Sequence, residues 1–189
     1  MVTSEIKILK LMLERKQERF TIKKIADTLN INYRIAYEKV LELEREKLIQ
    51  ITKAGHSKIC ELTNNFNEKI FIAEYERRQD LFKNKDFLVI YNHLAELNFS
   101  FIALLFGSHA KGTSTKHSDI DLLTIGGNEK EITVKLSILP DKIHVTHVTY
   151  ESFIEMALSK EFTVVSEAIK NNIILNGIED YYRLQKNAR

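Results

Sequence analysis

The chain has 189 residues, 44% hydrophobic and 29% charged, a balance that excludes disordered, collagen-like and fibrous classes. The net charge of +2 decides nothing as a total, but the first 64 residues hold 13 of the 28 Lys and Arg against 9 of the 26 Asp and Glu, so the basic excess lies N-terminally. The single cysteine, Cys60, cannot form an internal disulfide, the N-terminus opens into charged residues, and no apolar run approaches the roughly 20 residues of a membrane span. A cytoplasmic protein that does not enter a membrane is expected.

Apolar residues Ile6, Ile8, Leu9, Leu11, Met12 and Leu13 recur at helical spacing behind Ser4, a candidate cap, and predict a first helix over 4–17. Thr21 precedes a second, with Ile22, Ile25, Ala26 and Leu29, that ends at Asn30. Asn32 caps a third running to about Lys47, in which Ala36, Val40 and Leu43 fall at i, i+4 and i+7. Residues 48–52 and 58–62 alternate as two strands around the basic tip Lys53-Ala54-Gly55-His56-Ser57.

Helix, helix-turn-helix and two-stranded wing in this order resemble a winged helix-turn-helix domain, with the turn at Leu29-Asn30-Ile31-Asn32-Tyr33 and the exit Leu43-Glu44-x-x-x-Leu48-Ile49. The resemblance covers residues 1–64 and implies double-stranded DNA as a partner, bound by a dimer on paired half-sites, and transcription regulation. Tyr33, Arg34, Tyr37 and Lys39 on the third helix, with Lys53, His56 and Lys58 on the wing, would meet phosphates and base edges. Glu38 is an awkward neighbour for that role, and winged helices also serve as protein-interaction modules.

Residues 65–98 are charged and helical in character and contain no Gly or Pro, which predicts a helical connector rather than a flexible linker. From 99 onward strands and helices alternate. Phe101-Ile102-Ala103-Leu104-Leu105-Phe106 is an apolar strand and residues 120–125 a second. Residues 128–139 read as a short helix, with a strand left open by alternating Ile132, Val134, Leu136 and Ile138. Residues 142–149 form a third strand and 150–170 a helix; an apolar patch at 173–175 and a final helix close the chain.

Between the first two strands of this region stands Gly107-Ser108-His109-Ala110-Lys111-Gly112, and then Ser118-Asp119-Ile120-Asp121. A strand ending in Gly-Ser beside a helix start leaves backbone N–H groups and a hydroxyl for phosphate oxygens. Asp119 and Asp121, two apart, put both carboxylates on one face. Two acids so placed suit Mg²⁺, which takes one or two carboxylates and completes its octahedron with water and substrate phosphates. His144 and His147, three apart on an alternating strand, face opposite sides, and Lys116 and His117 read as a solvated loop.

This passage resembles the signature of the nucleotidyltransferase superfamily that includes DNA polymerase beta, and in its Ala110-x-Gly112 and Ser118-Asp119 details the minimal nucleotidyltransferases of bacteria and archaea. The resemblance covers residues 99–189, including a closing 174–182 stretch similar to archaeal members that carry an N-terminal winged helix. It implies an α+β protein: a winged helix-turn-helix followed by an α/β domain with a small mixed sheet. Gly107 and Ser108, with Lys111 and Ser118, would bind the nucleoside triphosphate, ATP foremost. Asp119 and Asp121 would hold Mg²⁺, and a nucleotidyl group would pass to a hydroxyl of a protein or small molecule. The family's third carboxylate has no counterpart on the next strand, where Ile143-His144-Val145-Thr146-His147-Val148 offers only histidines. Either His144 serves as the base, or the domain no longer turns over and acts in nucleotide sensing or dimerisation.

Overall fold

A computed structural model describes residues 2–55, 57–139 and 142–188. The chain divides into two compact units, Met1–Glu76 and Arg77–Arg189. Among the described residues no helix is long and apolar enough to cross a membrane.

The first unit begins with α1 (Ser4–Glu14), whose cap is Thr3 rather than Ser4: the Thr3 backbone is extended and its hydroxyl accepts from the Ile6 N–H. A two-residue strand β1 (Phe20–Thr21) follows, then α2 (Ile22–Leu29) and α3 (Tyr33–Arg45). Thr21 caps α2 by accepting from the Lys24 N–H. Asn30 ends it in the left-handed region at φ 50°, which asparagine tolerates better than most residues. Asn32 caps α3 at once, Oδ1 accepting from the Arg34 N–H at 2.8 Å. The left-handed backbone of Asn30 and the Asn32 cap fix the tight α2–α3 turn.

Ala36, Val40 and Leu43, the spacing that marked the inner face of α3, are all fully buried. The hairpin β2 (Ile49–Ala54) and β3 (Ser57–Leu62) takes β1 as a third, antiparallel strand in the order β1-β3-β2. Phe20 pairs with Cys60 across it. Burial and the Glu44 carboxylate push the Cys60 thiol up to about 11, so it stays protonated and inert. Helix α4 (Glu68–Leu81) runs through the division between the units.

In the second unit, α5 (Lys85–Ala95) precedes β4 (Ile102–Phe106), the short helix α6 (Gly107–Lys111), β5 (Ile120–Ile125), α7 (Glu129–Ser137) and β6 (Ile143–Val148). Then come α8 (Tyr150–Leu158), α9 (Val164–Lys170), β7 (Ile173–Asn176) and α10 (Ile178–Asn187). The sheet is mixed, in the order β6-β5-β4-β7, with β5 and β6 parallel and the other pairs antiparallel. The alternating stretch at 128–139 is resolved as helix α7, capped by Asn128 and burying Ile132 and Leu136.

Helices cover both faces, which is why β4 is apolar at every position. Ile102, Leu104 and Phe106 pack with Leu123, Ile125, Phe153, Val165 and Tyr181 beneath α8, α9 and α10. Ala103 and Leu105 pack with Ile120, Leu122, Phe87, Ile90, Ile132 and Leu136 beneath α5 and α7. The helix expected over 150–170 is two helices, because Ser159 turns extended and Thr163 starts α9 with a reciprocal cap to Ser166.

Candidate active site

The end of β4 and the starts of β5 and β6 lie side by side at one edge of the second unit, so residues from three separate segments meet there. Phe106 pairs with Asp121, and Asp121 with His144. Strand partners point to the same face, so Asp121 and His144 are neighbours. Asp119, just before β5, lies two residues back on the same side, and its Oδ2 is 3.1 Å from His144 Nε2. The Asp119 and His144 side chains are 39% and 66% exposed, so both remain open to a ligand.

Gly107 leaves β4 with φ +68°, a conformation L side chains rarely adopt, and its missing β-carbon is replaced by the Asp121 carboxylate. The backbone then makes the single turn of α6 and ends at Gly112, also left-handed, whose N–H returns to the carbonyls of Ser108 and His109. Gly107 is thereby placed against Asp121, with Ser108 following it on α6.

Two residues counted with the nucleotide set have structural partners. Lys111 Nζ is 2.9 Å from Glu167 Oε1 on α9. Ser118 Oγ accepts from the Thr115 N–H at 2.9 Å and so shapes the loop from 113 to 118. His109 sits on α6 as a clamp: Nε2 lies 3.3 Å from the Ser118 carbonyl and the ring meets Phe87 edge-on at 5.3 Å. His147 is on the opposite face of β6 from His144 and meets the Thr124 hydroxyl at 3.1 Å, away from the acids. Neither the His109 clamp nor Glu167 had a local sequence signal, since their partners come from distant segments.

A cleft of about 1000 Å³ opens beside Asp119, with Asn84, Phe87, Ser114, Lys116, Ile120 and Lys142 among the residues that line it. This volume accommodates a nucleotide-sized ligand.

Whether the site suits Mg²⁺ turns on its donors. Among the described residues no group of three or more His, Cys, Asp or Glu is arranged to hold an ion. The donors are therefore the carboxylates of Asp119 and Asp121, hard oxygens, of which the Asp121 carboxylate packs against a glycine that leaves it room. Two carboxylates fit Mg²⁺, which keeps several waters and takes phosphate oxygens for the rest of its shell.

On the first unit, the candidate DNA-binding residues divide by what they already touch. Tyr33 is 54% exposed at the start of α3. Arg34 is exposed but its Nε donates to Glu38 Oε1 at 2.9 Å, so Glu38 offsets its charge. Lys39 lies 2.9 Å from both Glu5 and Glu42 and ties α3 to α1. Lys58 Nζ donates to the Tyr37 hydroxyl at 3.2 Å and stands 4.9 Å from the ring centre. Lys53 lies exposed on β2 next to the tip, and His56 is outside the described residues.

Residues 90–180 match the family model for the polymerase beta nucleotidyltransferase domain. The match spans β4 through β7, with Gly107, Ser108, Asp119, Asp121 and His144 inside it, and it supports membership of this region in the nucleotidyltransferase superfamily. No curated protein and no solved structure matches the chain.

Proposed function

We propose that the second unit transfers a nucleotidyl group, AMP foremost, from a nucleoside triphosphate to a hydroxyl of a protein or small molecule, and that the first unit is a winged helix-turn-helix that binds duplex DNA. The carrying observation is Asp121 held between Gly107 and His144, with Asp119 alongside. Sheet packing demands no pair of acids two apart at a strand start, and Gly107 leaves room for the Asp121 carboxylate.

Asp119 and Asp121 would hold the Mg²⁺, which when bound neutralises charge on the phosphates of the substrate and of the transition state. Gly107 keeps the chain close to Asp121, and the N–H groups and the Ser108 hydroxyl at the start of α6 would take the phosphate oxygens. Lys111, released from Glu167, reaches toward phosphate oxygens. His144 accepts the acceptor's hydroxyl proton, with Asp119 orienting the ring through its contact at Nε2.

A second reading is favoured by the same histidine: where superfamily members have a third carboxylate, the chain has an imidazole, and a domain that only senses nucleotide would suffice for a transcription regulator. Thermal stability with each nucleoside triphosphate, with and without Mg²⁺, on the wild type and on Asp119→Asn/Asp121→Asn tests whether a working site exists. Pyrophosphate release then separates transfer from sensing. For the first unit, the exposed Tyr33, Arg34 and Lys53 are the proposed contacts, and the tight α2–α3 turn supports a helix presented to a groove. A homodimer on paired half-sites completes this reading.

A further inference from the structure

The loop joining α6 to β5 carries four hydroxyls, Thr113, Ser114, Thr115 and Ser118, within six residues. Turn chemistry accounts for three of them. Thr113 Oγ1 donates to the Ser108 carbonyl at 3.5 Å, a long contact supported by a Thr113 N–H bond to the same oxygen at 3.0 Å. Thr115 Oγ1 accepts from the His117 N–H at 3.3 Å, and Ser118 Oγ accepts from the Thr115 N–H. Among the described residues Ser114 has no hydrogen-bond partner for its hydroxyl, is exposed, and lines the cleft together with Asp119.

The loop's two ends both belong to the site. Thr113 is tied to Ser108, and Ser118 precedes Asp119, so Ser114 cannot move far from either. Lys116 and Lys142 stand in the same cleft and offset the charge of Asp86 and Asp119, which also line it, so that phosphate oxygens can enter beside that hydroxyl. Tethering gives such a group an effective concentration in the millimolar range or above, which a dissolved acceptor must match.

We propose that the chain is its own acceptor and that Ser114 receives the nucleotidyl group from a ribonucleoside triphosphate. The Ser114 Oγ forms a bond to the α-phosphorus, the bond from that phosphorus to the bridging oxygen of the β-phosphate breaks, pyrophosphate leaves with the electron pair, and the hydroxyl proton passes by way of the His144 imidazole to solvent. Nothing is oxidised or reduced. The product is a phosphodiester-linked nucleotide lodged in the cleft beside Asp119, so each chain labels itself once and thereby closes its own site to a second nucleotide.

This inference rests on the transfer reading. The test incubates the full chain with Mg²⁺ and each nucleoside triphosphate labelled at the α-phosphate, followed by intact mass and peptide mapping, alongside Ser114→Ala and Asp119→Asn/Asp121→Asn. Expected is one nucleotidyl group per chain on Ser114, reduced at least tenfold in both variants. Label on another residue, or undiminished label on Ser114→Ala, overturns the inference. A wild type that is stabilised by Mg²⁺-nucleotide and releases pyrophosphate with an added acceptor, yet carries no label on Ser114, removes this inference and leaves the transfer reading standing. Absence of both nucleotide stabilisation and label removes the two together.

Discussion

Gly107 and Asp121 are fitted to one another: a β-carbon on the glycine would stand 2.3 Å from Asp121 Oδ2 and 3.2 Å from its carboxyl carbon. Backbone conformation and space both demand glycine, and the carboxylate is backbone-supported on one side as a result. Gly107→Ala is therefore expected to destabilise the second unit by about 1–3 kcal/mol, from the left-handed backbone alone and the displaced acid. It should also abolish any Mg²⁺-dependent stabilisation by nucleotide. Denaturant unfolding followed on Gly107→Ala checks the first effect, and a nucleotide-induced melting shift equal to wild type would show that the close fit is not needed for binding.

His144 occupies the strand position beside Asp121 and touches Asp119. As a general base it contributes about 10²–10⁴-fold. His144→Ala should lower pyrophosphate release by at least 100-fold, while His144→Asp, which supplies the missing carboxylate on the same face, should retain or exceed wild-type turnover. An unchanged rate in His144→Ala removes the imidazole from the chemistry.

The parts of this site that could be read from the sequence are those encoded locally. Gly107, Ser108, Asp119 and Asp121 lie within fifteen residues and their spacing is a property of one strand-turn-strand segment. The side of β6 on which His144 stands follows from alternation alone. The His109–Ser118–Phe87 clamp and the Lys111–Glu167 pair join segments far apart in the chain, and no periodicity encodes them. Strand β1, two residues long, is below the length at which alternation can be seen, and it exists because β3 offers an unpaired edge. The α8–α9 break has no Gly or Pro to announce it; Thr163-x-x-Ser166 was the available signal, and it lies inside a helical pattern.

Glu5 gives the first unit a pH dependence of known sign. Its partial burial pushes the carboxyl up, but the Lys39 ammonium, its own N–H and the Thr3 hydroxyl pull it down further, to about 2, from 4.5. A carboxyl whose folded value is depressed stabilises the fold above its unfolded value and loses that contribution as pH falls through the folded one. Stability should therefore decline between about pH 4.5 and pH 2, and Glu5→Gln should flatten that part of the curve. A Glu5→Gln profile parallel to wild type over this range would contradict the assignment.

Lys111 and Glu167 separate a structural pair from a binding role. Both are partly exposed, so the pair alone is worth at most about 1 kcal/mol. If Lys111 transfers to phosphate when nucleotide binds, Lys111→Ala weakens nucleotide binding while Glu167→Ala strengthens it, because the lysine no longer has to leave a partner. Equal effects of the two substitutions in a calorimetric titration would make the contact purely structural.

On the first unit, the cations differ in what they can give to a duplex. Lys39 is held by Glu5 and Glu42, whose contacts hold its ammonium well above the usual lysine range, and so it is already neutralised. Lys53 is exposed next to the wing tip, and among the described residues Arg34 shares its charge with Glu38 alone. Each phosphate contact contributes about one unit to the salt dependence of affinity. Lys53→Ala should weaken binding evenly across sequences and reduce the slope by about one. Lys39→Ala should leave the slope unchanged and lower thermal stability instead. Glu38→Gln, which releases Arg34, should strengthen binding and steepen the slope, since the guanidinium then exchanges a protein carboxylate for a phosphate; a slope that Lys53→Ala and Glu38→Gln both leave untouched would place the duplex elsewhere than on α3 and the wing.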